Sequence, residues 1–227
     1  MPIILSLDTS TDACSCAVFN GTELHERFAV IPRQHAKELL PMIQSLLAEL
    51  SLGFPQLDGI AFGRGPGSFT GLRIAAGVTQ GLAYAANLPV LPVSTLAALA
   101  YDAQTEAAGR PILSVIDARI DEVYWAWFSS QSGGPSLIGT EHLSAPELID
   151  SPPLGDDRVL AVGSGLALCS RFPTALHASI SAQLPDAHPR AGAIARIGAA
   201  LFEQGVRVAP QDVDPLYLRD QVAKVPK

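Results

Sequence analysis

Residues 63–73 read Gly63-Arg64-Gly65-Pro66-Gly67-Ser68-Phe69-Thr70-Gly71-Leu72-Arg73, and they sit between an apolar run and a long Ala/Gly-rich stretch. Upstream, Leu57-Asp58-Gly59-Ile60-Ala61-Phe62 reads as a strand; downstream, Ser68 to Asn87 reads as a helix, so the stretch is a strand-to-helix joint. Glycines allow a sharp turn, and a helix start presents unpaired N–H groups that suit an anion. Two readings are open: a tight joint with Ser68 or Thr70 as N-cap, or a phosphate cradle. Spacing alone favours the joint. The stretch is neither a Walker A loop, for no Lys-Ser/Thr follows its last glycine, nor a dinucleotide fingerprint.

Outward from the joint the chain keeps one order. A strand at 3–7 ends in Asp8-Thr9-Ser10-Thr11-Asp12, a second covers about 14–19, Asn20-Gly21 signals a hairpin, and a third strand covers about 23–31. The period then changes. Leu39, Leu40, Ile43, Leu46, Leu47 and Leu50 have the spacing of an amphipathic helix. After the joint and its helix come a short strand, 89–93, and a helix to about 107 capped by Ser94 or Thr95. This β-β-β-α-β-α-β-α order starts again at Ile112–Ile116, which ends at Asp117 as the first strand ended at Asp8. Glu122–Phe128 alternates as a strand, Ser132-Gly133-Gly134-Pro135 marks a turn, a weaker strand falls near 136–142, and Arg158–Val162 reads as a buried strand. Short helices are expected at 145–150 and 165–171, a Pro-punctuated loop after them, and an Ala-rich helix at 191–204. An internal duplication follows, with domains 1–106 and 107–227 and an eroded second copy.

The 227 residues are 48% hydrophobic and 16% charged, against about 25% charged in an average globular chain. Disorder is excluded, and more apolar surface is expected than a small monomer would bury. Net charge is −7; residues 1–108 hold 5 basic and 9 acidic side chains, residues 109–227 hold 10 and 13. Neither half has the basic footprint of a chain that holds nucleic acid by itself. Cys14, Cys16 and Cys169 form no disulfide framework, no basic leader precedes the first strand, and residues 74–93 are too weakly apolar for a membrane span. A cytoplasmic chain with no membrane contact is expected.

Chemistry-bearing residues are sparse. The five histidines show no metal-ligand spacing, and no G-x-S-x-G elbow occurs. No catalytic or metal residues are assigned. Asp117 to Tyr124 is a charged hairpin, solvated or turned toward a cleft that faces Asp8. In the helix after the joint, Gly77, Gly81 and Ala85 lie four apart, and each interior glycine costs about 0.8–1.0 kcal/mol relative to alanine. Close approach of another backbone is the usual compensation, from the sheet beneath or from a partner. The partner reading assigns an exposed apolar patch to Leu39, Leu40, Ile43, Leu46 and Leu47 on one helix and Ile74, Val78 and Leu82 on the other.

The glycine-rich stretch, Leu7-Asp8-Thr9-Ser10, Asp117-Ala118-Arg119 with Glu122-Val123-Tyr124, and Pro215-Leu216-Tyr217-Leu218-Arg219 together resemble the TsaB (YeaZ) family of bacterial tRNA threonylcarbamoyladenosine biosynthesis proteins. The resemblance spans nearly the whole chain, although 128–190 adds little. It implies an α/β fold of the actin/Hsp70/sugar-kinase type with two duplicated domains. It also implies a non-catalytic scaffold that binds TsaD, its catalytic paralogue, and with TsaE supports threonylcarbamoyl transfer to N6 of adenosine 37 in ANN-reading tRNAs. A homodimer through the same patch is expected in isolation, with tRNA met only through the complex. The histidine-rich metal motif of TsaD has no counterpart at Pro92 to Leu99, and the fold's phosphate loops lack their glycines. Autonomous nucleotide binding is therefore not expected. ATP or ADP would sit at an interface of the complex, where Asp8, Arg64, Gly65, Ser68 and Arg119 form the candidate shared anion site. The competing readings are a glycoprotease-like peptidase and an ATP-dependent enzyme of the same fold.

Overall fold

The computed structural model describes residues 1–130, 134–152 and 158–219. The turn expected at Ser132-Gly133-Gly134-Pro135 begins outside them. Two five-stranded sheets carry the fold. The first contains β1 (Ile4–Asp8), β2 (Ala13–Phe19), β3 (Leu24–Val30), β4 (Gly59–Gly65) and β5 (Val90–Ser94), in the order β3-β2-β1-β4-β5. The second contains β6 (Ile112–Arg119), β7 (Glu122–Ser129), β8 (Ser136–Ser144), β9 (Val159–Val162) and β10 (Ile180–Leu184), in the order β10-β9-β6-β7-β8. In each sheet the first three strands are antiparallel neighbours, and the fourth and fifth add on in parallel beside the first. The two halves are thus one topology used twice: the duplicated actin-like fold.

Local chemistry sets the opening. Asn20 accepts backbone N–H bonds from Thr22 (3.1 Å) and Glu23 (2.8 Å) on its side-chain oxygen, and Gly21 takes φ +94°, which closes the hairpin between β2 and β3. Every residue of β1 and β2 is buried, so the sheet is covered on both faces. On its outer face lie α1 (His35–Glu49) and α2 (Phe69–Ala86). Leu39, Ile43, Leu46 and Leu47 of α1 join Leu5, Leu7, Cys14, Cys16, Ile60 and Phe62 in one core cluster.

The last helix of each half lies on the sheet of the other half. From α3 (Thr95–Ala107), Leu96, Leu99, Ala100 and Ala103 pack with Ile112, Ile116, Ala126 and Leu160 of the second sheet. From α5 (Ala191–Glu203), Ala193, Ile194, Ala195 and Ala199 pack with Ile4, Phe19, Ala61 and Leu91 of the first. The α5 N-terminus has no cap of its own. The Ala191 N–H is taken by Ser15 Oγ (3.0 Å) and the Gly192 N–H by Glu26 (2.8 Å), both from the first half.

Some sequence expectations are corrected here. The segment 172–190 is not only a loop, for it holds α4 (Thr174–Ser179) and the edge strand β10. The helix expected at 165–171 is a 3₁₀ helix, Ser164–Arg171, and the one at 145–150 is a single 3₁₀ turn, Pro146–Leu148. Among the described residues, the second copy has that turn where the first has α1. Among the described residues, no helix is long and apolar enough to cross a membrane.

Candidate functional site

The glycine-rich stretch is a packed joint. Ser68 caps α2 by accepting the Gly71 N–H (3.4 Å), and its own N–H goes to the Ser10 carbonyl (2.7 Å). Thr9 Oγ1 donates to the Gly71 carbonyl (2.7 Å). A Cβ on Gly67 would collide with the Ser10 carbonyl, and one on Gly71 with the Thr9 carbonyl, so these glycines exist to let two backbones touch. The joint is packed directly on the β1–β2 turn, and Ser10, Thr11, Asp12, Gly67 and Ser68 line the edge of the cleft between the halves.

Beneath the joint lies Asp8, with no exposed surface. Its Oδ1 accepts from Ser10 N (3.1 Å) and Ser10 Oγ (2.8 Å), while Oδ2 has no partner among the described residues. Burial pushes the carboxyl up to about 7, and the two Ser10 bonds only partly oppose it.

The five residues expected to form a shared anion site do not converge. Asp8 is sealed. Arg64 turns away and pairs with Glu141 at 3.0 Å, a nearly buried carboxylate that also accepts from Ser94 Oγ. Gly65, at φ +111°, faces the carbonyl of Leu216. Only Ser68 and Arg119 reach the cleft between the halves, and Arg119 is paired there with Asp117 at 3.3 Å. The cleft, about 430 Å³, is completed by side chains that sequence reasoning did not single out as a set: His188, Tyr124, Tyr217 and Arg219 among them. They come from separate stretches of the second half of the chain, and their meeting was not visible in spacing. Among the described residues, no three His, Cys, Asp or Glu side chains stand together as a metal set.

The outer helical face needs a correction of equal weight. Leu39, Ile43, Leu46 and Leu47 are at most 5% exposed and cannot form a surface patch, because α1 turns its whole leucine stripe onto the sheet. Leu40 is exposed, and Ile74, Val78 and Leu82 are half-buried along the edge of the same core. What remains outward on α2 is a line of small residues. Among the described residues a Cβ on Gly77 or Gly81 would meet nothing within 4 Å, so the sheet is not the reason for either glycine. Beyond them Tyr84 stands 75% exposed.

Comparison with known proteins agrees with this geometry. A family model described as TsaD: tRNA N6-adenosine threonylcarbamoyltransferase matches residues 14–227. The chain is 35% identical to the tRNA threonylcarbamoyladenosine biosynthesis protein TsaB of Escherichia coli (strain K12), over 97% of this chain and 96% of that one. It is 36% identical to the protein of the same name from Haemophilus influenzae, over 96% and 94%. The solved structure of YeaZ from Pseudomonas aeruginosa superposes with a TM-score of 0.90 at 39% identity, covering 96% of this chain and all of that one. The joint, the doubled sheet and the near full-length identity lead to one conclusion: the chain belongs to the TsaB (YeaZ) family.

Proposed function

We propose that this chain is a non-catalytic subunit in the synthesis of threonylcarbamoyladenosine in tRNA, acting in the cytoplasm by docking the outward face of α2 on a TsaD-type catalytic subunit. One observation carries the reading. Two glycines stand inside an exposed helix face with nothing opposite them among the described residues. Each weakens the helix by about 0.8–1.0 kcal/mol, and a second helix crossing close over them is the compensation that small residues at four-residue spacing permit. The names of the relatives supply the pathway, and their TsaD-type family model suggests a partner built on the same plan.

The remaining assignments follow. A second copy of the chain would use the same face when the catalytic subunit is absent, so homodimer and mixed complex compete. TsaE joins through the complex. With a net charge of −7, tRNA is held by the other subunits. Any ATP or ADP binds at an interface in the complex. The peptidase and ATP-dependent readings both need a reactive group within reach of substrate, and the carboxylate at the end of β1 is closed off.

The test uses Gly81→Arg and Tyr84→Glu in the full chain, with mass measured by light scattering alone and mixed with TsaD. Both changes should abolish homodimer and mixed complex while thermal stability is kept, since both positions face water. Unchanged masses would overturn the assignment of this face.

A further inference from the structure

We infer that Val213–Arg219 is a strap that clasps the two halves together across the mouth of the cleft, with Arg219 as its latch. A two-lobed fold can open by hinge motion about its connections, and here a third connection spans the opening. On the first half, Val213 packs against the outer core, and the Leu216 N–H donates to the Arg64 carbonyl at 2.7 Å. Gly65 is the residue that admits this contact: a Cβ there would stand 2.9 Å from the Leu216 carbonyl oxygen. The Tyr217 ring lies 5.4 Å from that of Phe69, and its hydroxyl accepts from Arg73 Nε (3.3 Å), whose guanidinium in turn covers the Phe69 ring at 3.9 Å.

The next two residues belong to the second half. Leu218 packs with the core that holds Ile116, Ala118 and Tyr124. Arg219 donates to the Ala118 carbonyl (3.2 Å) and to the Glu122 carboxylate. Three stretches singled out by the sequence therefore meet at one place: the glycine-rich joint, the Asp117–Tyr124 hairpin and Pro215–Arg219. Leu216, Tyr217 and Arg219 line the cleft they close. The strap has no regular secondary structure; one backbone hydrogen bond, from Leu216 to Arg64, holds it to the first half, and the charged, partly buried bond of Arg219 holds it to the second. The consequence is a subunit that moves as one closed body, independent of any docking on α2.

Hydrogen exchange followed by mass spectrometry, on the full chain without partners, tests this. Arg219→Ala and Glu122→Gln should each speed exchange about tenfold in peptides from both cleft walls, 64–72 and 116–124, the factor expected when one charge-assisted contact leaves a local opening equilibrium. Peptides from β1–β3 should be unchanged. Faster exchange confined to 213–219, or no change in either wall, would overturn the clasp. Should Arg219→Ala loosen the whole chain, Arg219→Lys, which keeps the charge but not the fork, is read by the same two outcomes. Because no partner is present, failure here leaves the docking face untouched.

Discussion

A Cβ placed on Gly63 would overlap Oδ2 of Asp8, far inside their contact distance, so the glycine of β4 and the carboxylate of β1 share one packed position. Neighbouring strands force this closeness, for β1 and β4 run parallel with Leu7 beside Phe62. The result is an acid with one oxygen satisfied and one enclosed without a partner among the described residues. A group held this way is a stability element before it is a chemical one.

Asp8 therefore makes the fold less stable as pH rises from the acid range to neutral. Its carboxyl titrates near 7 when folded and near 3.8 when unfolded. Below the lower value both states are protonated and nothing is lost. As pH rises from about 4 to 7, the unfolded chain gives up its proton first, and stability falls by an amount on the order of 4 kcal/mol. Asp8→Asn removes this titration, so denaturant midpoints of the variant should decline less from pH 5 to 8 than those of the natural chain, the remaining slope coming from Asp102, whose carboxyl burial raises to about 6. Parallel profiles for the two proteins would refute this account.

The glycines divide into two classes with opposite predictions. Gly71→Ala drives a methyl into the Thr9 carbonyl, a backbone atom that cannot swing aside, and should cost about 3 kcal/mol or more in a urea melt. Gly77→Ala and Gly81→Ala meet empty space in a helix and should each stabilise the isolated chain by about 0.8–1.0 kcal/mol. Their cost should appear only as weaker association with a partner, which titration against TsaD would measure.

Arg64 and Glu141 join β4 of the first half to β8 of the second, and they are not equally exposed: the guanidinium side chain is 28% accessible, the carboxylate side chain 6%. Removing the arginine strands the more buried charge. Arg64→Ala should cost about 3–5 kcal/mol in chemical denaturation. Glu141→Ala should cost clearly less, because Arg64 can extend toward water. The double change Arg64→Met with Glu141→Leu should recover most of the loss, since an apolar pair has no charge to strand. Equal costs for the two single changes would contradict the asymmetry.

How far the sequence reaches follows from the range of each interaction. The β1–β3 opening was legible because Asn20-Gly21 fixes its hairpin locally, and the duplication because a strand ending in Asp recurs at Asp8 and Asp117. Strand β10 was also written in the chain, as the alternation Ile180-Ser181-Ala182-Gln183-Leu184, but Pro173 and Pro185 on either side read as loop. The excess of apolar residues found its cover inside the chain, since both sheets are packed on both faces. The candidate anion site failed for a different reason. Arg64 meets a glutamate 77 residues away and Arg219 one 97 residues away. No spacing rule carries such pairings, and charged residues in a turn look the same whether they face a ligand or each other.

The α1 leucines give the sharpest separation between core and surface. Leu46 and Leu40 differ by six positions, so they lie about 120° apart around the helix, which places them on different faces. Leu46 is 2% exposed and sits in the outer core; Leu40 is 40% exposed. An arginine at 46 must bury an unpaired charge or tear α1 from the sheet, and Leu46→Arg should leave little folded protein, read as lost cooperativity in thermal melts. Leu40→Arg changes a side chain already in water and should shift stability by no more than about 0.5 kcal/mol. If Leu46→Arg instead gave a folded monomer with lost partner binding, the leucine stripe would be an interface after all, and the packing of α1 on the first sheet would be the part of the structure to abandon.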